Sequence, residues 1–319
     1  MKILHSADLH INLHKKKVPY TWAENRFKSF FTKMLELESS HDIHIISGDI
    51  FDKKPEPDEI CLFLSYINSV KIPTFIIPGN HEATQKGKSF LEFFCDDNTI
   101  INDNIHIFVY NKKVTVNGQK FYFFPYGEMQ INNLSEYEEG EILVTHIRGE
   151  VPPHVTAEYD FEKLRPWKLI LLGDIHFAHK YKDFPAYYSG SPMNTTFDRD
   201  SKKQYGVNSI ELRSIDDYTV NFIDLKLPKL IRQTLQVGKE MTENAYDHII
   251  YEITGSIDEL SKVKNSKLLD KKIAIRNSSK SKLELKDMSI IDELSSWLTY
   301  SGVKDAEKVL NEWKDADIK

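Results

Sequence analysis

Five short apolar runs in this sequence each end on residues that can bind a metal ion or move a proton. The central one is His44-Ile45-Ile46, followed by Ser47-Gly48-Asp49-Ile50-Phe51-Asp52. Glycine permits a sharp turn, and a carboxylate directly after a buried strand projects into the crevice where α/β sheets bind ligands. The first run leads to Asp8 and His10, and at a strand end this spacing aims both side chains at one point. Residues 72–77 run into Pro78-Gly79-Asn80-His81-Glu82, and Asn80 can ligate through its amide oxygen. Ile142-Leu143-Val144-Thr145 ends at His146, and Lys168–Gly173 ends in Asp174-Ile175-His176, a second Asp-x-His pair. Each motif alone also fits a capping aspartate, an exposed histidine or a satisfied loop histidine. Together, Asp8, His10, Asp49, Asn80, His146, Asp174 and His176 form a ligand set suited to two divalent cations with positions open for water and substrate. Asp49 is expected to bridge the two. Mixed oxygen and imidazole ligands suit Mn, Fe or Zn better than calcium. His81, next to Asn80, is placed to meet a substrate oxygen, protonating a leaving alkoxide or stabilising the charged transition state. Asp52 is expected to support its loop. His154 is expected to cap a loop and His179 to lie on the surface, both outside the metal set.

These groups need strands to aim them and helices to cover the strands. Residues 21–38 carry Trp22, Phe27, Phe30, Phe31, Met34, Leu35 and Leu37 at helical spacing, and 58–69 form a second amphipathic helix with Cys61 in its apolar pattern. The βαβαβ rhythm up to residue 77 predicts a sheet with helices on its faces. Beyond it, Ile105–Tyr110, Val114–Val116 and Phe121–Pro125, with an Asn117-Gly118 turn, read as an antiparallel section. Glu136–Glu141 reads as an acidic linker, and a final strand pair is expected near 204–225. After residue 225, strands at 246–254 and 270–276 with a helix near 257–263 suggest a small α+β unit. Residues 288–313 space Ile290, Ile291, Leu294, Trp297, Leu298, Ala306, Val309, Leu310 and Trp313 helically. That stripe either packs on its own domain or needs a partner.

A chain of 319 residues suits one large domain plus a smaller one. Hydrophobic content of 40% and charged content of 28% are those of a soluble globular protein. The net charge of −6 argues against coating nucleic acid by bulk positive charge. Local phosphodiester contacts stay open, because bound divalent metals would be the largest local charges. The lysines at 15–17, 53–54 and 202–203 are candidates for such contacts on charge alone. Cys61 and Cys95 lack metal-type spacing and read as free, buried thiols of a reducing compartment. The N-terminus does not read as a signal peptide, and no stretch approaches the roughly 20 apolar residues that span a bilayer. The expectation is a cytoplasmic protein without membrane contact.

The order Asp8-x-His10, Gly48-Asp49-x-x-Asp52, Gly79-Asn80-His81-Glu82, His146, Gly173-Asp174-x-His176 resembles that of the calcineurin-like metallophosphoesterases, and among them the SbcD-type nuclease subunits of recombination and repair. Gly190-Ser191-Pro192 looks like that branch too. The His146–His154 loop and Leu227-Pro-Lys-Leu-Ile-Arg232 resemble the SbcD-like exonuclease subunits of T5-type bacteriophages. The motifs cover roughly residues 1–195, and the phage likeness continues to the C-terminus.

The resemblance implies an α/β sandwich of two mixed β-sheets flanked by helices, with a small α+β cap and a C-terminal helical segment. It divides the chain into 1–225, a nuclease domain, 226–286, a DNA-facing cap, and 287–319, a partner-binding segment. It gives Asp8, His10, Asp49 and His176 to one metal, Asp49, Asn80, His146 and Asp174 to the other, and the role of catalytic acid to His81. The metals implied are two Mn²⁺, with Mg²⁺ as the alternative. Two residues depart from the pattern: Asp174 stands where the branch usually has His, and Glu82 where the wider family often has Asp. The first is expected to alter metal preference, the second to touch only a supporting role. The implied activity is exonucleolytic or endonucleolytic hydrolysis of DNA phosphodiesters in recombination, repair or replication. The implied partners are DNA, an SbcC-like coiled-coil ATPase and a second copy of the chain, in the host cytoplasm if the protein is phage-encoded. A metallophosphoesterase of small nucleotides or phosphoproteins, and a non-catalytic scaffold for the ATPase, are the alternatives.

Overall fold

The structure is a computed structural model, and it describes residues 1–83, 89–95, 102–131, 141–151, 155–200, 202–274 and 288–316. His154, residues 136–140 of the acidic stretch and residues 275–276 of the last expected strand lie outside these, as does the Cys95 side chain.

Two six-stranded sheets form the body. The first has the order β12-β11-β1-β2-β3-β4, from Asp217–Asp224, Gly206–Ser214, Lys2–Ser6, Ile43–Ser47, Thr74–Ile77 and Ile105–Ile107. The second has the order β5-β6-β7-β8-β10-β9, from Lys112–Val116, Gln119–Phe124, Ile142–His146, Leu169–Gly173, Ala186–Tyr188 and His179–Lys180. Strands β1–β4 run parallel to one another, as do β6–β8 and β10. The expected antiparallel section is therefore confined to the β5–β6 hairpin, whose turn holds Asn117 and Gly118 at φ 50° and 81°. The piece near Ile105 instead extends the first sheet in parallel beside β3.

The central strands are apolar at nearly every position because both of their faces are covered. Ile3, Ile45, Phe75, Phe121, Phe123, Val144, Leu169 and Leu171 alternate inward and fill the layer between the sheets. Their neighbours Leu4, Ile46 and Ile76 face helices α1 (Tyr20–Glu38) and α2 (Pro57–Ile67). On α1, Ala23, Phe27, Phe30, Phe31 and Met34 make the buried stripe. Outside the second sheet, Tyr122, Leu143, Ile170 and Leu172 pack under Phe161, Leu164 and Trp167. Cys61 is exposed on α2, not buried as its apolar neighbours suggested: it sits between Ile60 and Leu62, off the face that buries Glu59, Phe63, Tyr66 and Ile67.

A third sheet, β13-β14-β15 (Leu230–Gln236, His248–Gly255, Leu269–Ala274), is all parallel, with α4 (Ile257–Lys262) between its last two strands. Its first strand was not among the expected ones. Leu230 and Ile231 alone are buried in it, so its alternation is weak. Buried Arg26 joins this sheet to the body, donating to Pro228 O at 2.7 Å and to Asn194 O and Oδ1 at 3.0 and 2.6 Å. Lys17 Nζ donates to Leu269 O at 2.6 Å, and His248 Nε2 lies 2.6 Å from Lys17 O. Lys17 is thus committed to a protein contact and is not the free phosphate ligand its charge suggested. Helices α5 (Ile290–Tyr300) and α6 (Ala306–Ala316) follow, joined by a Ser301-Gly302 turn; α3 is the short Glu128–Ile131. Among the described residues, no helix is long and apolar enough to cross a membrane.

One buried titratable group in this frame makes stability depend on pH. His5 in β1 lies 3.0 Å from Ser47 Oγ, and burial with the nearby His44 depresses its pKa from 6.5 to about 3. Between those values the unfolded chain binds more protons than the folded one, so stability falls as the pH falls. Urea unfolding of wild type and His5→Leu at about pH 7.5 and about pH 5 should show the wild type losing about 2 kcal/mol more than the variant over that interval. Parallel pH profiles for the two proteins would remove His5 as the cause.

Candidate metal centre

The carboxyl ends of β1, β2, β3, β7 and β8 meet at one end of the sandwich. All eight site residues expected from the sequence are brought together there. Asp8, His10 and His176 form one group whose ligand atoms lie within 4.8 Å of one another; His10, Asp49 and His81 form a second, and Asp8, Asp49 and His146 a third. Asp49 is central. Its Oδ2 is 3.5 Å from His10 Nε2 and 3.8 Å from His81 Nε2, and its Oδ1 is 3.4 Å from His146 Nε2. Asp174 Oδ1 approaches His146 Nε2 to 3.8 Å, and the Asp174 amide donates to Asp8 Oδ1 at 3.0 Å.

The turns that make this convergence are strained. Asp8, His10, Asp49 and Asp174 all have positive φ, at 55°, 45°, 53° and 94°. Such backbone is rare for residues with a side chain and concentrates at functional sites. Two glycines let the turns close on each other. A Cβ on Gly79 would sit 2.1 Å from Asp49 Oδ1, and one on Gly173 would sit 2.0 Å from Ser47 O and 2.4 Å from His146 Nδ1.

The donor chemistry fits bound cations. His146 Nδ1 lies 2.7 Å from Ser47 O and donates to it, so its Nε2 presents a lone pair once the proton there is displaced. That lone pair faces Asn80 Oδ1 at 2.9 Å, and Asp49 Oδ1 faces it too. These are three acceptors around one point. Turned over, the Asn80 amide would instead donate to His146 Nε2 and to both Asp49 oxygens. Asn80 therefore has one orientation for a cation and another for none. On the other side, His176 Nδ1 lies 3.1 Å from Thr195 Oγ1, and its Nε2 faces His10 Nε2 at 3.0 Å. Two ring nitrogens at that distance share a proton or a metal.

Electrostatics point the same way. Burial pushes the Asp8 carboxyl up to about 8, with the Asp49 and Asp174 charges adding to it. Burial would raise Asp49 too, but the His146 and His10 rings hold it well below the usual carboxylate range. His146 is carried up to about 10 against its own burial by the Asp49, Asp8 and Asp174 carboxylates. Burial and the His10 ring lower His176 to about 4. Carboxylates and imidazoles crowded at one buried point thus push one another's protonation away from the ordinary values, a conflict that a divalent cation relieves.

Three supporting residues complete the geometry. Buried Glu82 accepts from the amides of Asp49, Phe51 and Gly79 at 3.0, 3.0 and 2.8 Å, clamping the Asp49 loop to the Asn80 loop. Burial and the Asp49 charge raise its pKa to about 7. Asp52 supports its loop as expected, facing His10 Nδ1 at 3.4 Å and accepting from Asn12 at 2.6 Å; its carbonyl accepts from His81 Nδ1 at 2.6 Å. Thr195, which orients His176, was missed, since nothing in the sequence ties it to a residue 19 positions earlier. His179 is half-buried, not on the surface, because Tyr188 and Phe177 stack against its ring.

Residues 1–208 match the calcineurin-like phosphoesterase family. The chain belongs to that family. It is 34% identical over 311 residues to the probable exonuclease subunit 1 of Escherichia phage T5, covering 92% of this chain and 91% of that protein. It is 25% identical over 293 residues to the DNA double-strand break repair protein Mre11 of Methanosarcina acetivorans, covering 82% of this chain and 47% of Mre11. Among solved structures, a Thermus thermophilus protein matches 70% of the chain and 99% of its own at 12% identity and a TM-score of 0.42.

Two substitutions test the construction of the site. Gly173→Ala, by forcing apart Ser47 O and His146, should lower Mn²⁺ affinity by about 10- to 100-fold in isothermal titration calorimetry. Glu82→Ala leaves three buried amides without an acceptor and should lower unfolding free energy by about 3 kcal/mol or more, measured by denaturant titration. Wild-type affinity in the first or wild-type stability in the second would refute the corresponding role.

Proposed function

We propose that this protein is a metal-dependent nuclease subunit that hydrolyses DNA phosphodiester bonds at the Asp49 centre. The observation that carries the reading is the Asp49 carboxylate, with one oxygen toward His10 and His81 and the other toward His146. The likeness to a phage exonuclease subunit along nearly the whole chain supports DNA as substrate. In this reading Asp8, His10, Asp49 and His176 hold one cation, and Asp49, Asn80, His146 and Asp174 a second, with Mn²⁺ the expected ion and Mg²⁺ the alternative. Divalent cations there supply Lewis acidity, polarising the phosphoryl oxygens and lowering the pKa of water.

The chain's own groups do the rest. The Asp52 carbonyl fixes the His81 ring through Nδ1, so Nε2 faces the cluster and can carry a proton. His81 is about one-third exposed, at the mouth of the site and within reach of a bound substrate. It donates the Nε2 proton to the departing sugar oxygen, a general-acid role worth about 10²- to 10⁴-fold in rate. Glu82 and Asp52 keep the Asp49, Asn80 and His81 loops in register while this happens. We assign residues 226–286 as a cap over the DNA path. We assign 287–319 to an SbcC-like ATPase partner, on the exposed Ile290, Trp297 and Tyr300 of α5. A dimer formed through the sandwich, acting in recombination or repair, completes the proposal.

The test is digestion of linear DNA, labelled at either end, with Mn²⁺ present. Wild type should cut it, and His81→Ala should lower kcat by about 10²- to 10⁴-fold while still binding Mn²⁺. Asp49→Ala should lose both Mn²⁺ binding and cleavage. Hydrolysis of a small phosphodiester without DNA cleavage would overturn the nuclease reading and leave a small-substrate phosphoesterase.

A further inference from the structure

We propose that the groove leading away from His176, between the edge strands β9 and β12 of the two large sheets, binds an unpaired DNA strand with one base stacked on Phe177. The proposal rests on the nuclease reading. The groove has a volume of about 750 Å³ and begins at His176 itself.

Its wall carries a stack of rings. Phe177 lies against His179 with centroids 4.6 Å apart and planes at 23°, and His179 lies against Tyr188 at 4.9 Å and 9°. The inner end is locked: Tyr188 is fully buried, its hydroxyl donating to Ile147 O at 3.0 Å and accepting from Gly149 N at 2.9 Å. The outer end is open, with Phe177 54% exposed. A locked stack ending in a bare aromatic face is a pre-organised surface for one more flat ring, and little ordering cost remains for the ligand to meet. Stacking of bases on aromatic side chains is how proteins hold single strands, because every base has a π face. Inside a duplex both faces of each base are covered by its neighbours, so a strand that runs along the groove past Phe177 must be unstacked there, and the blunt duplex in the test below reports any capping by a terminal pair.

Charge fits the same occupant. Lys180 is the cross-strand neighbour of Tyr187 and stands exposed at the rim, with no ion-pair partner among the described residues. It can meet a phosphate. The acidic residue of the groove, Asp198, is already engaged by Lys203 at 3.3 Å and by the Tyr205 hydroxyl, so it does not repel an incoming strand. On the opposite wall Phe222 of β12 is 38% exposed, a second apolar face for a base or sugar. Phe177 is the residue directly after His176, so a base on it belongs to a nucleotide close to the one being cut.

The test is fluorescence anisotropy of labelled single-stranded oligothymidylate and of a blunt duplex, with Mn²⁺ present and every protein carrying His81→Ala so that cleavage is suppressed while the site stays loaded. Phe177→Ala should weaken single-strand binding by about 10- to 100-fold, and Phe222→Ala by less. Phe177→Trp should restore single-strand binding to within a few-fold of wild type, which separates lost stacking from lost folding. Duplex binding should change by less than about threefold. Single-strand affinity in Phe177→Ala equal to wild type, or a loss shared equally by single strand and duplex, overturns the proposal even if the wild type cuts DNA. A wild type that neither binds nor cuts DNA but hydrolyses a small phosphodiester removes the nuclease reading and the groove assignment together.

Discussion

Everything at the active end of this molecule depends on keeping the Asp49 carboxylate buried and ionised among imidazoles. Burial alone would protonate it, and His146 and His10 reverse that. Their ring nitrogens must then be held within a few ångströms, which demands strained turns at Asp8, His10, Asp49 and Asp174. Positions of this kind cost about 1–3 kcal/mol each. They persist because the strands before them are locked on both faces by the sandwich core. The layer of Ile45, Phe75, Val144 and Leu171 therefore acts on the site, since it fixes the strand ends from which the ligands project.

The same constraint explains the supporting residues. Glu82 does not face the open centre. It spans the Asp49 and Gly79 turns and substitutes for the backbone partners those turns lack. Longer by one methylene than the aspartate frequent in the wider family, it still reaches three amides. Thr195 and Asn194 are adjacent in sequence and serve different ends: Thr195 orients His176, while Asn194 bonds Arg26 and Leu230. The path from the third sheet to a candidate metal ligand is thus only two residues wide.

Much of this was legible in the sequence, and the reasons are local. Ligand-type residues directly after apolar runs mark strand ends, because a buried parallel strand has few polar residues until it leaves the sheet. That logic found Asp8, Asp49, Asn80, His146 and Asp174 and the strands that carry them. It failed where burial is decided by a distant neighbour. The run at Ile105 pairs in parallel with β3, and no local pattern tells parallel from antiparallel. Strand β13 buries only its first two residues. Cys61 sits beside apolar residues yet on the exposed side of α2. His179 looked like a surface residue because its cover, Tyr188, lies on another strand.

Asp174 shows how a departure from a family pattern can be absorbed. Where an imidazole is usual, this chain places a carboxylate, half-buried and with its pKa raised chiefly by burial. Its amide still donates to Asp8 and its oxygen still faces His146, so the loop keeps its form. What changes is charge. Asp174 joins Asp8, Asp49 and Asp52 as a carboxylate facing the imidazoles of His10, His81, His146 and His176. Neutral imidazole is the softer ligand, so the change puts a harder oxygen donor where the family pattern has nitrogen. The added negative charge also strengthens attraction for any divalent cation and weakens it for an anionic substrate until the cations are in place.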